Sequence, residues 1–207
     1  MIEIDTLLSW GATYKHIDSD EILFKEGAQC MYYYQLVSGQ IRWVNISEEG
    51  KEYLQSIIES NQSVGELPLF DDGVYAATAI ANKKCTLLRL NKFRFHQLLK
   101  ENPEIHMQFS KLLSQRIRFK FFLIKEITSQ NPTKLILSVL KYMKDNSLYI
   151  CNSCNQVMLT RQQIADFTGL RVETVIRVIR ILHEKKLLAI QKGKVFYTNM
   201  TPIIVEV

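Results

Sequence analysis

Residues 159–188 read LTRQQIADFTGLRVETVIRVIRILHEKKLL and form the most informative stretch of the chain. Thr160 and Gln163 have the spacing of a capping box, which predicts that a helix begins here. The small side chain of Ala165 allows a second helix to cross closely. Gly169 follows four residues later, where a tight turn needs a permissive backbone. The stretch therefore predicts two short helices joined by a tight turn.

The second predicted helix has one apolar face and one charged face. Val175 and Val178 supply the apolar face, whereas Glu173, Arg177 and Arg180 project away from it. A glutamate can accept a hydrogen bond from a cytosine amino group, and an arginine can fork onto guanine. An exposed intrahelical salt bridge, worth ~0.3–0.5 kcal/mol, is the alternative reading of this pair. The whole pattern is typical of a helix-turn-helix, which favours base reading.

A basic hairpin is predicted directly after this motif. Residues 188–197 contain two short apolar runs around Lys192-Gly193-Lys194, the pattern of a β wing whose lysines contact phosphates. Taken together, the predicted DNA contacts are Thr160, Arg161, Arg171, Glu173, Thr174, Arg177, Arg180, Lys192 and Lys194.

Positive charge is concentrated near the C-terminus. The 207 residues carry a net charge of +5, but residues 131–207 hold 11 Lys/Arg against 5 Asp/Glu, which is +6, and the rest of the chain is at −1. A local basic excess attracts a polyanion, so double-stranded DNA is the predicted partner. A solvated basic face would explain the charge alone, and the motif decides between the two.

Several other classes of protein are disfavoured by the sequence. It has no run of about 18 apolar residues, and its acidic N-terminus lacks the basic region of a secretory signal. Four cysteines are too few for a disulfide scaffold in a chain of this length, so we predict a cytoplasmic protein. No P-loop, G-x-S-x-G or H-E-x-x-H pattern occurs, and we predict neither an enzyme nor a cofactor.

The rest of the chain predicts an α+β protein. Residues 1 to about 95 contain short β-branched and aromatic runs between turn-like glycines, which indicates a barrel-like or sandwich-like sheet. Asn102-Pro103-Glu104 then marks the start of a helix that runs uninterrupted to about residue 129. We place a domain boundary there, with a sensor domain at 1–129 and a winged helix-turn-helix domain at 130–207.

The long helix, at about 102–129, carries two apolar stripes. A helix of this kind can bury one stripe in its own domain and the other against a partner, so we predict a homodimer. A plain core helix is the competing interpretation. The first stripe is Ile105, Phe109, Leu112, Arg116, Phe119 and Leu123, and the second is Leu113, Ile117, Ile124 and Ile127.

These motifs, in this order over residues 15 to 198, resemble the Crp/Fnr family of bacterial transcription regulators. The resemblance implies a cyclic-nucleotide-binding-like β-roll, a long dimerisation helix and a C-terminal winged helix-turn-helix. Glu173 and Arg177 match the family's Glu-x-x-x-Arg base-reading pair. A palindromic site with a TGA-like core, and RNA polymerase as a further partner, are what the resemblance implies.

The predicted sensor departs from the nucleotide-binding members of this family. Residues 64–70, VGELPLF, resemble the phosphate-binding cassette, but Ala76-Ala77 stands where those members have an Arg-Ser pair, and Lys120-Phe121 replaces a Thr-Ser pair that contacts adenine. Alanine offers neither a donor nor a charge to a phosphate. We therefore predict that cyclic AMP is not the ligand, and the effector stays unidentified. The predicted effector site is Gly65, Glu66, Leu67, Ala76, Ala77, Arg116 and Lys120.

Two alternative functions remain open at this stage. Cys151-Asn152-Ser153-Cys154 is a C-x-x-C pair, which could make the protein a redox- or metal-responsive regulator. No second C-x-x-C occurs, so no metal site is predicted. The other alternative is a ligand-binding module that controls a partner protein, which the basic winged segment disfavours.

Overall fold

The computed structural model describes residues 1–128 and 130–198. The chain forms two compact units, the first from Met1 to Gln115 and the second beginning at Arg116. The end of the predicted long helix at residue 129, and residues 199–207 of the predicted C-terminal domain, lie outside the described residues. The predicted fold class is confirmed: an N-terminal antiparallel sheet, a long helix and a C-terminal helix-turn-helix.

The N-terminal unit is built on one six-stranded antiparallel sheet. The elements in chain order are α1 (Ile4–Ser9), β1 (Thr13–Ile17), β2 (Ile22–Phe24), β3 (Tyr32–Ile46), β4 (Glu52–Ile58), β5 (Ser63–Val64), α2 (Pro68–Asp71), β6 (Thr78–Asn91), α3 (Lys92–Glu101) and α4 (Pro103–Ile127), which continues into the second unit. The strands run in the order β1-β6-β3-β4, and β2 pairs with β6 while β5 pairs with β3.

Two long strands hold the sheet together. β3 and β6 pair from Tyr32↔Asn91 to Val44↔Thr78, with register shifts between Leu36 and Ile41 that bend the ladder. A turn at Gly50 joins β3 to β4, where the Gly50 N–H donates to the Ser47 carbonyl.

The core of this unit contains an aromatic cluster. The Tyr33 and Phe95 rings stack at 4.6 Å between centroids, and Phe109 meets both rings edge-on. Phe95 belongs to α3, a helix that the sequence pattern did not predict. Its start is marked by Asn91, whose side chain accepts a hydrogen bond from the Phe93 N–H. Through Phe109, the first part of α4 belongs to this core.

The predicted long helix is present as α4, and its two apolar stripes differ in burial. Phe109, Phe119 and Leu123 of the first stripe are buried. Ile117 and Ile124 of the second stripe are 55% and 61% exposed. One stripe therefore packs within the protein, as predicted, and the other faces outward.

Over residues 116–128 and 130–198, the second unit packs three further helices and a two-stranded hairpin around the end of α4. Its elements in chain order are α5 (Pro132–Asp145), α6 (Arg161–Thr168), α7 (Val172–Glu184), β7 (Leu188–Gln191) and β8 (Lys194–Tyr197). The Asn131 side chain caps α5 by accepting from the Lys134 N–H, and Pro132 occupies the first turn, where its missing N–H costs nothing.

The boundary between the two compact units falls between Gln115 and Arg116, within α4. The physical reason is aromatic packing: Phe119 contacts both Tyr142 of α5 and Phe167 of α6, and Phe122 stacks on Tyr142 at 4.4 Å. The end of the helix thus belongs to the core of the C-terminal unit. The functional division into 1–129 and 130–207 stays a prediction.

None of the helices among the described residues combines the length and apolar character needed to cross a membrane.

Candidate nucleic-acid interface

The first helix of the motif, α6, begins with a complete capping box. The Thr160 hydroxyl accepts from the Gln163 N–H at 3.1 Å, and the Gln163 side chain accepts from the Thr160 N–H at 2.9 Å. Both hydrogen bonds satisfy backbone donors that a helix start leaves free. The predicted start of the motif is thereby confirmed.

The turn of the motif depends on Gly169. This residue ends α6 in the left-handed conformation, with φ of 72°. A side chain in this conformation costs backbone energy, which glycine avoids. Ile164 and Ala165 of α6 are buried, so α6 and α7 pack closely on either side of the turn.

The second helix, α7, separates buried and exposed residues sharply. Its buried residues are Val175, Val178, Ile179 and Leu182. Glu173, Arg177 and Arg180 are exposed and, being four and three residues apart, share the outer face. This face presents two guanidinium groups and one carboxylate to solvent, the groups that hydrogen-bond to base edges.

The other residues predicted on this helix lie at its start. Arg171 is exposed at the N-cap position, and Thr174 is half-buried in the first turn. Backbone N–H groups at a helix start are free to meet a phosphate, and Arg171 adds a positive charge beside them.

The wing is a two-residue hairpin. β7 pairs with β8, and Lys192 and Gly193 between them have φ of 47° and 77°. Two successive positive φ angles are typical of a type I′ turn, which matches the twist of paired strands. Lys192 and Lys194 are exposed at the tip.

Arg161 has a role that the sequence pattern did not reveal. Its guanidinium donates to the Gly193 carbonyl at 2.6 Å, so the first turn of α6 is joined to the tip of the wing. The contact spans 32 residues of sequence, and no local spacing could have predicted it. This hydrogen bond uses one nitrogen of the guanidinium group, and the predicted contact of Arg161 with a DNA phosphate stays a prediction.

The predicted phosphate-binding cassette lies against aromatic side chains. Gly65 has φ of 70°, and an added Cβ would meet the Phe24 and Tyr75 rings. These two rings stack at 3.7 Å between centroids. Burial raises the pKa of the Tyr75 hydroxyl above its ordinary value, so the ring stays neutral. Sequence reasoning missed Phe24 and Tyr75, which lie on distant segments without a shared motif.

The other cassette residues are engaged within the N-terminal unit. Glu66 is fully buried and accepts from the Ser63 hydroxyl at 3.2 Å, and Leu67 precedes the short helix α2. Ala77 is buried, and its carbonyl accepts from the Trp43 indole. Ala76 is exposed. Its methyl group supplies neither a donor nor a charge.

Arg116 and Lys120 are one turn apart on α4 in the C-terminal unit. Burial is the larger cause and the positive charge of Arg116 the smaller cause that lower the pKa of Lys120 to about 8. Their participation in an effector site with the cassette of the N-terminal unit stays a prediction.

The cysteine pair lies on the loop between α5 and α6. Cys151 is half-buried, Cys154 is exposed, and both are free thiols. Cys30 and Cys85 are buried in the N-terminal unit. Among residues 1–128 and 130–198, no three His, Cys, Asp or Glu side chains cluster as metal ligands do.

Two family models match the chain in the same order as the two units. A cyclic nucleotide-binding domain matches residues 14–102, and a Crp-like helix-turn-helix domain matches residues 136–201. The cAMP-activated global transcriptional regulator CRP of Salmonella typhimurium is 26% identical over 192 residues, which cover 90% of this chain and 91% of the relative. The protein of the same description from Pasteurella multocida is also 26% identical, over 191 residues.

Solved structures share the fold. The c-di-GMP responsive global regulator CLP of Xanthomonas campestris superposes with a TM-score of 0.74 at 18% identity, covering 95% of this chain and all of that one. FixK2 of Bradyrhizobium japonicum also gives 0.74, at 17% identity, with 91% and 93% covered. With the capped helix-turn-helix, the wing and both family models in place, the chain belongs to the Crp/Fnr family of DNA-binding transcription regulators.

Proposed function

We propose that this protein acts as a homodimer that reads a palindromic promoter site through the outer face of α7. The observation that carries the proposal is the grouping of Glu173, Arg177 and Arg180 on that face, opposite the buried residues of the helix. Arg177 forks onto guanine and Glu173 accepts from a cytosine on the opposite strand. The lysines of the wing and Arg171 contact phosphates, which position the helix without reading sequence.

The outward stripe of α4 supports the dimer. Ile117 and Ile124 of the second stripe are 55% and 61% exposed, and Phe121, which is 71% exposed, extends the stripe between them at spacings of four and three residues. A seam with this spacing is the kind that pairs two helices. Two-fold symmetry then places the half-sites about one helical turn apart on the DNA.

We further propose that cyclic AMP does not control this protein, although the relatives from Salmonella typhimurium and Pasteurella multocida are named as cAMP-activated. Ala76 and Ala77 replace the pair that would neutralise a cyclic phosphate, and a phosphate buried without a charged partner is costly. In addition, Phe24 and Tyr75 stack against the cassette at Gly65. The effector, where one acts, has a different chemistry.

The remaining parts of the proposal follow from this role. The protein acts in the cytoplasm together with RNA polymerase, and it regulates without catalysing a reaction.

The deciding experiment is a selection from a random duplex library, at fixed salt, with purified protein and no added ligand. We expect a palindrome with a TGA-like core. Recovery of no specific sequence, with or without cell-extract metabolites, would favour a module that controls a partner protein.

Cyclic AMP control is tested by calorimetric titration of the wild type and of the double variant Ala76→Arg, Ala77→Ser. We expect no binding heat from the wild type. Saturable binding of cyclic AMP by the wild type, with tighter DNA binding in its presence, would overturn this part of the proposal. The double variant shows whether the missing pair is sufficient to explain the result.

A further inference from the structure

The loop that carries Cys151 and Cys154 is a closed hairpin. An isolated bridge joins Ile150 to Val157, and the Cys151 N–H donates to the Gln156 carbonyl at 2.9 Å. The Asn155 N–H in turn donates to the Cys151 carbonyl at 2.8 Å. Both cysteines therefore lie within one tight turn, which keeps their side chains close together.

The sulfur atom of Cys151 is surrounded by hydrogen-bond donors. The Ser153 hydroxyl lies 3.1 Å from Cys151 Sγ, and the Cys154 thiol and the backbone N–H groups of both residues also point to it. These contacts, the Ser153 hydroxyl first, lower the pKa of Cys151 to about 6. At neutral pH Cys151 is thus mainly a thiolate, the reactive form of cysteine.

We propose that Cys151 and Cys154 form a reversible dithiol–disulfide pair, and that its oxidation loosens the wing and weakens DNA binding. A thiolate beside a resolving thiol, on a loop where Cys151 is only half-buried and Cys154 is exposed, favours such a pair. The DNA-binding part of this inference rests on the proposed function, whereas the thiol chemistry does not.

The oxidant is a hydroperoxide, and the reaction balances in two steps. Cys151 Sγ attacks the outer oxygen, the O–O bond breaks, and a sulfenic acid forms while the other oxygen leaves and takes up a proton. Cys154 Sγ then attacks Cys151 Sγ, so that the S–S bond forms, the S–O bond breaks and water leaves. The two cysteines lose two electrons, and the hydroperoxide gains them. Reduction by a small thiol reverses the change by exchange.

The loop is hydrogen-bonded to the wing, which couples the two. The Tyr197 N–H donates to the Asn155 carbonyl at 2.9 Å, and the Val157 N–H donates to the Val195 carbonyl at 2.8 Å. Asn155 follows Cys154 directly, so a turn rebuilt around a disulfide displaces the carbonyl that holds β8. Once Cys151 Sγ is in a disulfide, it no longer accepts hydrogen bonds as a thiolate, so the oxidised turn lacks the hydrogen bonds that stabilise the reduced turn.

A zinc site is the competing use of a C-x-x-C pair, and it is an outcome of the test. Structural zinc requires four ligands, and the two thiols supply half of them. In the part of the chain that the structure describes, no third ligand joins the pair.

The first experiment treats the full-length protein with hydrogen peroxide and counts free thiols, with intact mass as a second readout. We expect two of the four thiols to be lost together with two hydrogens, and to return with dithiothreitol. A Cys30→Ser, Cys85→Ser control keeps this response, whereas Cys151→Ser abolishes it. Persistent thiols, or zinc that copurifies and is lost in Cys151→Ser, would overturn the proposal.

The second experiment compares the reduced and oxidised protein by amide hydrogen exchange and by titration of the selected DNA over a range of salt. We expect faster exchange in β8, weaker binding, and a salt slope reduced by about 1 for each wing lysine that loses its phosphate. A disulfide with unchanged exchange and affinity would refute the coupling to the wing. Absence of DNA binding in both states would instead refute the proposed function, and the thiol and exchange results would still stand.

Discussion

At the scale of single residues, the proposed reading of bases depends on the exposed side of α7. Arg177 is exposed, and the residues beside it on the buried side, Val175 and Val178, set which way it projects. An arginine fork matches two acceptors on guanine at once, whereas a lysine supplies one point charge.

Arg177→Ala should weaken binding to the selected palindrome by ~1–3 kcal/mol per half-site and relax preference at one base pair. Arg177→Lys is the matched control, because it keeps the charge and removes the fork. We expect Arg177→Lys to lose the same base preference while retaining more of the affinity, as measured by binding to a panel of single-base variants. Equal weakening on every sequence would show a phosphate contact instead.

Lys120 makes a residue-scale contribution to stability that depends on pH. Burial and the Arg116 charge lower its pKa to about 8 in the folded protein, against ~10.4 for an ordinary lysine. Between these two values the unfolded chain binds more protons than the folded one, so this residue makes the free energy of unfolding rise with pH. Below pH 8 Lys120 is protonated in both the folded and the unfolded chain, so its full cost is subtracted from the free energy of unfolding.

Lys120→Met should therefore flatten part of that rise. The measurement is urea unfolding at several pH values from neutral to about 10, with the wild type and the variant compared at each pH. The other titrating groups are common to both proteins, so the difference isolates Lys120. Parallel curves would contradict the lowered pKa.

At the scale of secondary-structure elements, the helix-turn-helix depends on the residues that begin and end α6. The capping box starts α6 at Thr160, and Gly169 ends it in the left-handed conformation. A Cβ added at Gly169 would meet nothing within 4 Å, so any cost of a substitution comes from the backbone.

Gly169→Ala should lower the free energy of unfolding by ~1–2 kcal/mol, because alanine is strained at a φ of 72°. Gly169→Asn is the control, since asparagine tolerates this conformation better and should cost less. Chemical denaturation of the three proteins checks both values. Equal losses for the two variants would indicate a steric cause.

At the scale of the whole molecule, the outward stripe of α4 is the surface on which the proposed homodimer depends. Large apolar side chains exposed at helical spacing are costly on an isolated chain, and pairing with a second copy removes them from water. Phe121 is 71% exposed and lies at the middle of this stripe.

Phe121→Glu should convert the dimer to a monomer and abolish tight binding to the palindrome, because like charges would face each other across the seam. Gln115→Glu adds a charge at another exposed position of α4 away from the stripe, and we expect it to stay dimeric. Sedimentation velocity distinguishes the two states. A dimeric Phe121→Glu protein would place the interface elsewhere.

The elements that could be predicted from the sequence are those whose signals are local. The capping box, the glycine turn, the spacing of α7, the Lys-Gly-Lys wing and the proline at the start of α5 each lie within a few residues of chain, so backbone preferences alone specify them. The side of α7 that carries Glu173 and Arg177 follows from helical spacing, and the resemblance to the Crp/Fnr family followed from the order of these motifs.

The features that join distant segments of the chain could not be predicted and are seen only in the folded protein. Phe24 stacks on Tyr75 beside Gly65, and Arg161 donates a hydrogen bond to the tip of the wing. Phe119 packs with Tyr142 and Phe167, so the boundary between the compact units falls within α4. No local pattern encodes such contacts, because each depends on how separate elements bury their apolar surface together.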